Sequence, residues 1–139
     1  MKRILTISIL LFCSLLSSAP SIFADRMKDA HTDQTVTLKT YQSAKAMVVV
    51  FISVKCPYAK YYETRLSTMA KQYKNKQVAF LMVNANSTES LESMKSQALE
   101  INATYLIDGA KQMASFLGAK KSPEVFLLSA LLPVAVLLL

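Results

Sequence analysis

The sequence has little of what builds disulfide frameworks or metal sites. It contains two cysteines, Cys13 and Cys56, and one histidine, His31. Cys13 falls in an apolar N-terminal stretch typical of a secretory signal, so an exported chain would keep one thiol. One thiol cannot form an internal disulfide, and His31 without a second cysteine gives a metal ion too few ligands. We therefore expect no metal site and no bound cofactor.

The chain also lacks a basic cluster and a long hydrophobic run. Its net charge is +7, but the lysines are scattered through the sequence. Proteins that bind nucleic acid concentrate basic residues in a patch or stripe, so we expect no nucleic-acid partner. The N-terminal apolar run, residues 4–16, is shorter than the ~20 residues that span a bilayer.

The N-terminus predicts export. Two basic residues precede the apolar run, and Ala24 offers a cleavage site, so residues 1–24 are interpreted as a signal peptide. A lipoprotein would instead be cut before Cys13 and acylated there. Because Phe12 is bulkier than that pattern allows, we favour release into the periplasm or beyond.

The remaining chain divides into three parts. Residues 25–35 are polar and predict a loose lead-in, and residues 36–128 predict one domain. Residues 129–139 form an atypical apolar tail that contains Pro133 and no charged residue. Weak membrane association through this tail and a truncated or frameshifted end both remain open.

Apolar runs alternate with segments of helical periodicity along the domain. Strands are predicted at residues 36–38, 46–54, 78–83, 104–107 and 125–128, and helices at 57–73, 89–99 and 111–117. This alternation predicts an α/β fold with parallel strand pairs.

Cys56 lies where the most apolar predicted strand gives way to a helix. Pro57 suits the first helical position because it has no N–H to leave unpaired. The free N–H groups and the dipole of a helix N-terminus favour a thiolate, and Lys55 and Lys60 add positive charge nearby. The pattern predicts a reactive thiol, although a free cysteine can also be a small buried hydrophobe.

The strand at residues 48–51, the Cys56–Pro57 step and the later segment at residues 122–126 resemble the thioredoxin-like redoxin family. The resemblance is to the branch of alkyl hydroperoxide reductase and thiol-specific antioxidant proteins, and it covers roughly residues 36–128. It implies a central mixed sheet flanked by helices. It also implies a cis Pro123 beside the thiol, with the Ser122 backbone free to pair with an extended substrate.

Three departures from the family pattern limit the mechanism. Thioredoxins carry Cys-x-x-Cys, but Ala59 stands at the fourth position. Peroxiredoxins carry a proline and a Thr or Ser ahead of the cysteine; Ser53 fits, but Val49 replaces the proline, and no arginine follows Arg65. The strand and helix that end the family fold look truncated or altered here.

These patterns predict an exported antioxidant oxidoreductase with one reactive thiol, Cys56, supported by five residues: Ser53, Pro57, Lys60, Ser122 and Pro123. Its partners would be an external thiol or disulfide, on a protein or a small molecule, or a peroxide. Two alternatives remain open: a redox-inactive module that binds an extended peptide, and a truncated, non-functional product.

Overall fold

The structure is a computed structural model that describes residues 22–129. These residues form a six-stranded mixed sheet with helices on both faces. The strands are β1 (Met27–Asp29), β2 (Thr35–Val36), β3 (Ala46–Phe51), β4 (Val78–Asn84), β5 (Thr104–Ile107) and β6 (Glu124–Ser129). The helices are α1 (Pro57–Lys74), α2 (Leu91–Ile101) and α3 (Gln112–Leu117), and short 3-10 turns lie at Ile22–Ala24 and Leu38–Tyr41.

The strand order is β2-β1-β5-β4-β3-β6. The middle strands β5, β4 and β3 run parallel, whereas β6, β1 and β2 join antiparallel. Buried parallel strands need apolar side chains on both faces, and β3 supplies them, since Met47, Val49 and Val50 are almost fully buried. The expected α/β architecture with a central mixed sheet is confirmed.

Alternate residues of the sheet feed two separate hydrophobic layers. One layer lies under α1 and α2 and includes Val50, Met82, Leu66, Met94, Ala98 and Tyr105. The other lies under α3 and the 3-10 turn at Leu38 and includes Val49, Leu81, Met113, Leu117 and Phe126. Since side chains point to opposite faces every second residue, one strand serves both layers.

Local residue chemistry sets the helix ends. Pro57 opens α1, and the Ser90 hydroxyl caps α2 by accepting the N–H of Ser93 at 3.2 Å. Asn102 ends α2 and Gly118 ends α3, both in the left-handed conformation, with φ of 50° and 71°.

The structure differs from expectation at the start of the domain. The predicted loose lead-in contains β1, which pairs with β5 and buries Met27. The predicted strand at residues 36–38 ends at Val36, and Leu38 begins a 3-10 turn. Both strands are too short for an alternating pattern to emerge from the sequence.

Several expectations concern residues outside the described range. The signal segment through residue 21, with Cys13, and residues 130–139 of the apolar tail lie beyond it. At the end of the predicted signal, Phe23 packs against the core layer under α3. Within residues 22–129 no helix has the length and apolar character required to cross a bilayer.

Among residues 22–129, β6 is the last strand on its side of the sheet, and it combines pairing with β3 and burial of Phe126. Phe126 is 1 % exposed and meets Phe51 edge-on at 5.6 Å, whereas its neighbour Leu127 is 38 % exposed. We expect Phe126→Ala to lower the free energy of unfolding by about 3–5 kcal/mol. The control Leu127→Ala should cost less than about 1 kcal/mol. Urea denaturation checks both, and equal losses would contradict this packing.

Candidate active site

Cys56 is the N-cap residue of α1, with Pro57 in the first turn. The thiol is half-buried, and its sulfur donates a hydrogen bond to the backbone oxygen of Ser122 at 2.9 Å. The Ser122–Pro123 peptide bond is cis, as the resemblance implies. The structure thus brings together Cys56, Pro57, Ser122 and Pro123, and places them at the strand-to-helix junction predicted from the sequence.

Ser122 differs from expectation. Its carbonyl accepts the thiol instead of remaining free for an extended substrate. Its side-chain Oγ is buried and is the one buried side-chain oxygen or nitrogen within residues 22–129 without a hydrogen-bond partner. Buried polar atoms are normally paired, and an unpaired one calls for an explanation. A substrate that pairs with this segment would share the Ser122 carbonyl with the thiol or displace it, since a carbonyl oxygen has two lone pairs.

The turn that leads to Cys56 is organised by one carboxylate. The N–H of Cys56 donates to the Ser53 carbonyl at 3.2 Å, which closes the turn. Glu89, which precedes the N-cap of α2, accepts the Ser53 hydroxyl at 2.5 Å and the backbone N–H groups of Val54 and Lys55 at 3.0 and 2.9 Å. These bonds explain why β3 ends at Phe51 and not at residue 54 as predicted. They also direct the Ser53 hydroxyl to Glu89.

Glu89 remains an anion despite its burial. It is 8 % exposed, and burial alone would raise the pKa of its carboxyl group. Hydrogen bonds from the Ser53 and Asn84 side chains and from the Lys55 and Val54 backbone outweigh burial, so that the pKa lies below its ordinary value. At neutral pH the turn before Cys56 is therefore bonded to a full negative charge.

A buried polar chain continues from Glu89 to helix α1. Asn84 donates to Glu89 at 2.8 Å and to the Tyr105 hydroxyl at 3.0 Å. Tyr105 donates to Gln97 at 2.7 Å, and Gln97 donates to Glu63 at 2.8 Å. Burial raises the pKa of Tyr105, so its hydroxyl keeps its proton and remains a donor. This chain, from Glu89 to Glu63, connects the turn before Cys56 with the helix after it.

Lys60 is engaged with carboxylates. It pairs with Glu100 and, at 2.9 Å, with Glu63. The hydrogen bonds that Lys60 donates, to Glu100 first and to Glu63 second, raise the pKa of its ammonium group. The effect of Lys60 on a Cys56 thiolate stays a prediction. The carboxylates of Glu63 and Glu100 already pair with the Lys60 ammonium and would compete with the thiolate for it.

The residues around Glu89 were not identified as site residues from the sequence. Glu89 falls at the start of the helix predicted at residues 89–99, and Asn84 directly follows the strand predicted at residues 78–83. Gln97 and Tyr105 lie within a predicted helix and a predicted strand. One signal was available: β3 and β4 run parallel, so residues after both strands meet at one edge of the sheet. Within residues 22–129 no three His, Cys, Asp or Glu side chains are grouped closely enough to bind a metal ion.

Comparisons with known proteins agree with this geometry. The profile of the AhpC/TSA family matches residues 17–134. The chain belongs to the AhpC/TSA family. This redoxin chain finds no match among curated proteins.

Solved structures share the thioredoxin-like fold. A hypothetical protein of Sinorhizobium meliloti 1021 is 25% identical with a TM-score of 0.71, over 82% of this chain and 67% of its own. A secreted disulfide oxidoreductase of Mycobacterium tuberculosis is 17% identical with a TM-score of 0.71, over 87% and 86%. Xanthomonas campestris peroxiredoxin Q is 14% identical with a TM-score of 0.65, over 84% and 80%. The expected thioredoxin-like fold and redoxin family are confirmed.

The ion pairs of Lys60 allow a direct test of its role. We expect Lys60→Gln to change the iodoacetamide alkylation rate of Cys56 by less than about two-fold, because exposed, already paired charges contribute little. The measurement is the second-order rate constant at neutral pH, with the exposed Lys71→Gln as a matched control. A much larger decrease with Lys60→Gln alone would show that the lysine acts on the thiol.

The ionised Glu89 predicts a pH-dependent stability. Its folded-state pKa lies below the ordinary 4.5, so its contribution is complete above that pH and is lost as the pH falls through the folded-state value. At pH 7, Glu89→Gln should lower the free energy of unfolding by about 1–3 kcal/mol. Urea denaturation at pH 7 and in acid should show this difference shrinking in acid. A constant difference would contradict an ionised Glu89.

Proposed function

We propose that this AhpC/TSA protein is a monothiol oxidoreductase that exchanges disulfides through Cys56. The observation that carries the proposal is the position of the sulfur. It lies at the N-cap of α1, half-exposed and against the carbonyl of Ser122, which precedes cis Pro123. Ala59 stands where thioredoxins have a resolving cysteine, so the second thiol must come from outside the domain.

The reaction then has two steps. The Cys56 thiolate attacks one sulfur of a substrate disulfide, a new S–S bond forms, and the other substrate sulfur leaves as a thiolate that takes up a proton. An external thiol next attacks the mixed disulfide at the substrate sulfur and releases Cys56. One substrate sulfur has then become a thiol, and the other is left in a disulfide with the external sulfur, so the net change is thiol–disulfide exchange.

Disulfide exchange is better supported than peroxide reduction. A peroxide would oxidise Cys56 to a sulfenic acid with loss of an alcohol or water, and an external thiol would again restore it. The Ser53 hydroxyl, the candidate helper for a peroxide, donates to Glu89. Val49 stands in place of the peroxiredoxin proline.

Two features bear on partner and compartment. Tyr58 and Tyr61 are 71% and 80% exposed on α1 directly after Cys56, which offers an aromatic surface to a protein disulfide. The basic and apolar N-terminus supports export, to the periplasm or outside the cell, where disulfides persist.

A peptide-binding module without redox chemistry is the second candidate. It is favoured by the hydrogen bond from the thiol to Ser122, because this bond needs the sulfur to carry its proton. In that case the fold would bind an extended segment, and Cys56 would be a packing residue.

Trapping of the mixed disulfide separates the two candidates. In a Cys13→Ser background, we expect glutathione disulfide at neutral pH to give a glutathione adduct on Cys56 that dithiothreitol releases. Intact-mass and peptide-mass spectrometry measure the adduct, and the Cys13→Ser/Cys56→Ser double variant is the control. A native protein that forms no adduct would favour the binding module.

A further inference from the structure

We propose that Glu89 is a positioning residue for Cys56: it fixes the turn Ser53–Cys56 and with it the place of the sulfur beside the Ser122–Pro123 segment. The inference rests on the proposed function, since positioning has a consequence only if Cys56 reacts. Glu89 does not contact the sulfur in the structure. Its effect passes through the backbone of the turn.

Both carboxylate oxygens of Glu89 are used. Oε1 accepts the Ser53 hydroxyl and the Lys55 N–H, and Oε2 accepts the Val54 N–H and the Asn84 amide. Four donors therefore converge on a group that has only acceptors. A glutamine at this position has the same shape, but its amide NH₂ group would replace one of the two carboxylate oxygens. The two donors that bond to that oxygen would then face another donor.

The other bonds between the turn and the loop that carries Glu89 are longer: the Asn86 amide donates to the Ser53 hydroxyl at 3.4 Å, and the Lys55 ammonium donates to the Thr88 carbonyl at 3.5 Å. Ile52 makes the last β-type bond, to the carbonyl of Val83 at 2.9 Å, and α1 begins at Pro57. Between them, the N–H groups of Val54 and Lys55 bond to the Glu89 side chain instead of a neighbouring strand. The turn conformation, and with it the direction in which Cys56 leaves the strand, depends on this carboxylate.

Glu89 is itself held in place by the buried side chains that connect it to helix α1. Asn84 connects it to the Tyr105 hydroxyl, and Tyr105 connects through Gln97 to Glu63 in the second turn of α1. The buried chain thus holds the segment before Cys56 and the helix after it in one hydrogen-bonded unit. Side chains fixed in this way keep a reacting group in register.

The strand pairing determines where this hydrogen-bonded unit places the sulfur. Phe51 pairs with Val83 of β4 on one side and with Glu124 of β6 on the other. The turn after Phe51 therefore lies between the β4–α2 loop, which carries Glu89, and the segment with Ser122. A shift of the turn moves the sulfur relative to the Ser122 backbone, where an extended substrate would bind.

The test compares an oriented reaction of Cys56 with an unoriented one. In a Cys13→Ser background, we would measure the second-order rate constants of Cys56 with glutathione disulfide and with iodoacetamide. Attack on a disulfide needs the three sulfurs aligned, whereas a small alkylating agent approaches from any open side. The rate constant with glutathione disulfide divided by the rate constant with iodoacetamide reports how well the sulfur is positioned. A general loss of stability does not change one of these rates selectively.

We expect Glu89→Gln to lower this ratio about ten-fold, since displacement of a reacting group by about 1 Å can cost 10²-fold. Glu92→Gln is the matched control: it makes the same change three residues further along the chain, where Glu92 is exposed in the first turn of α2. Its ratio should stay within two-fold of the parent. Circular dichroism confirms that the compared proteins are folded.

The outcomes are distinct. A parent protein that does not react with glutathione disulfide would contradict the proposed function itself. A reactive parent with an unchanged ratio in Glu89→Gln would overturn the positioning role alone. If Glu89→Gln does not fold, Ser53→Ala, which removes one donor to Glu89, should lower the ratio about three-fold, and an unchanged ratio there would equally overturn the inference.

Discussion

The carboxylate of Glu89 satisfies the backbone at the point where the central strand becomes a helix. Buried N–H groups without an acceptor are costly, and a strand cannot turn into a helix without leaving some of them outside both ladders. Here the N–H groups of Val54 and Lys55 find one side chain from the next strand–helix connection. These bonds act together with the packing of Val54 and Cys56 against the layer under α1 and α2.

The sheet topology explains why these groups meet. Parallel pairing places the carboxyl ends of β3 and β4 side by side, so that the loop with Glu89 follows the end of β4 next to the turn before Cys56. Antiparallel pairing of β6 on the other side of β3 brings in the segment before Glu124. One central strand thus places the thiol between two loops that are distant in sequence. Neither loop alone defines the site.

Much of this arrangement could be predicted, for definable reasons. The buried strands are continuous apolar runs and the long helix α1 has helical periodicity, and the Cys56–Pro57 step marks their junction. The family resemblance also placed Ser122 and Pro123 beside the thiol, as found. What could not be predicted were contacts that depend on side-chain direction. A glutamate before a helix looks the same whether it faces solvent or, like Glu89, turns inward, and β1 is too short to show alternation.

The buried chain from Glu89 to Glu63 also constrains how this protein can diverge. Each member supplies the partner of the next, with Tyr105 at the centre as both donor and acceptor. Replacement of one member by an apolar residue leaves the buried donor or acceptor of its neighbour without a partner, which destabilises the fold. Joint replacement of both members by apolar side chains can be nearly neutral. Among relatives, these positions should therefore covary as a set: either all the hydrogen-bonded side chains are retained, or all are replaced by apolar residues.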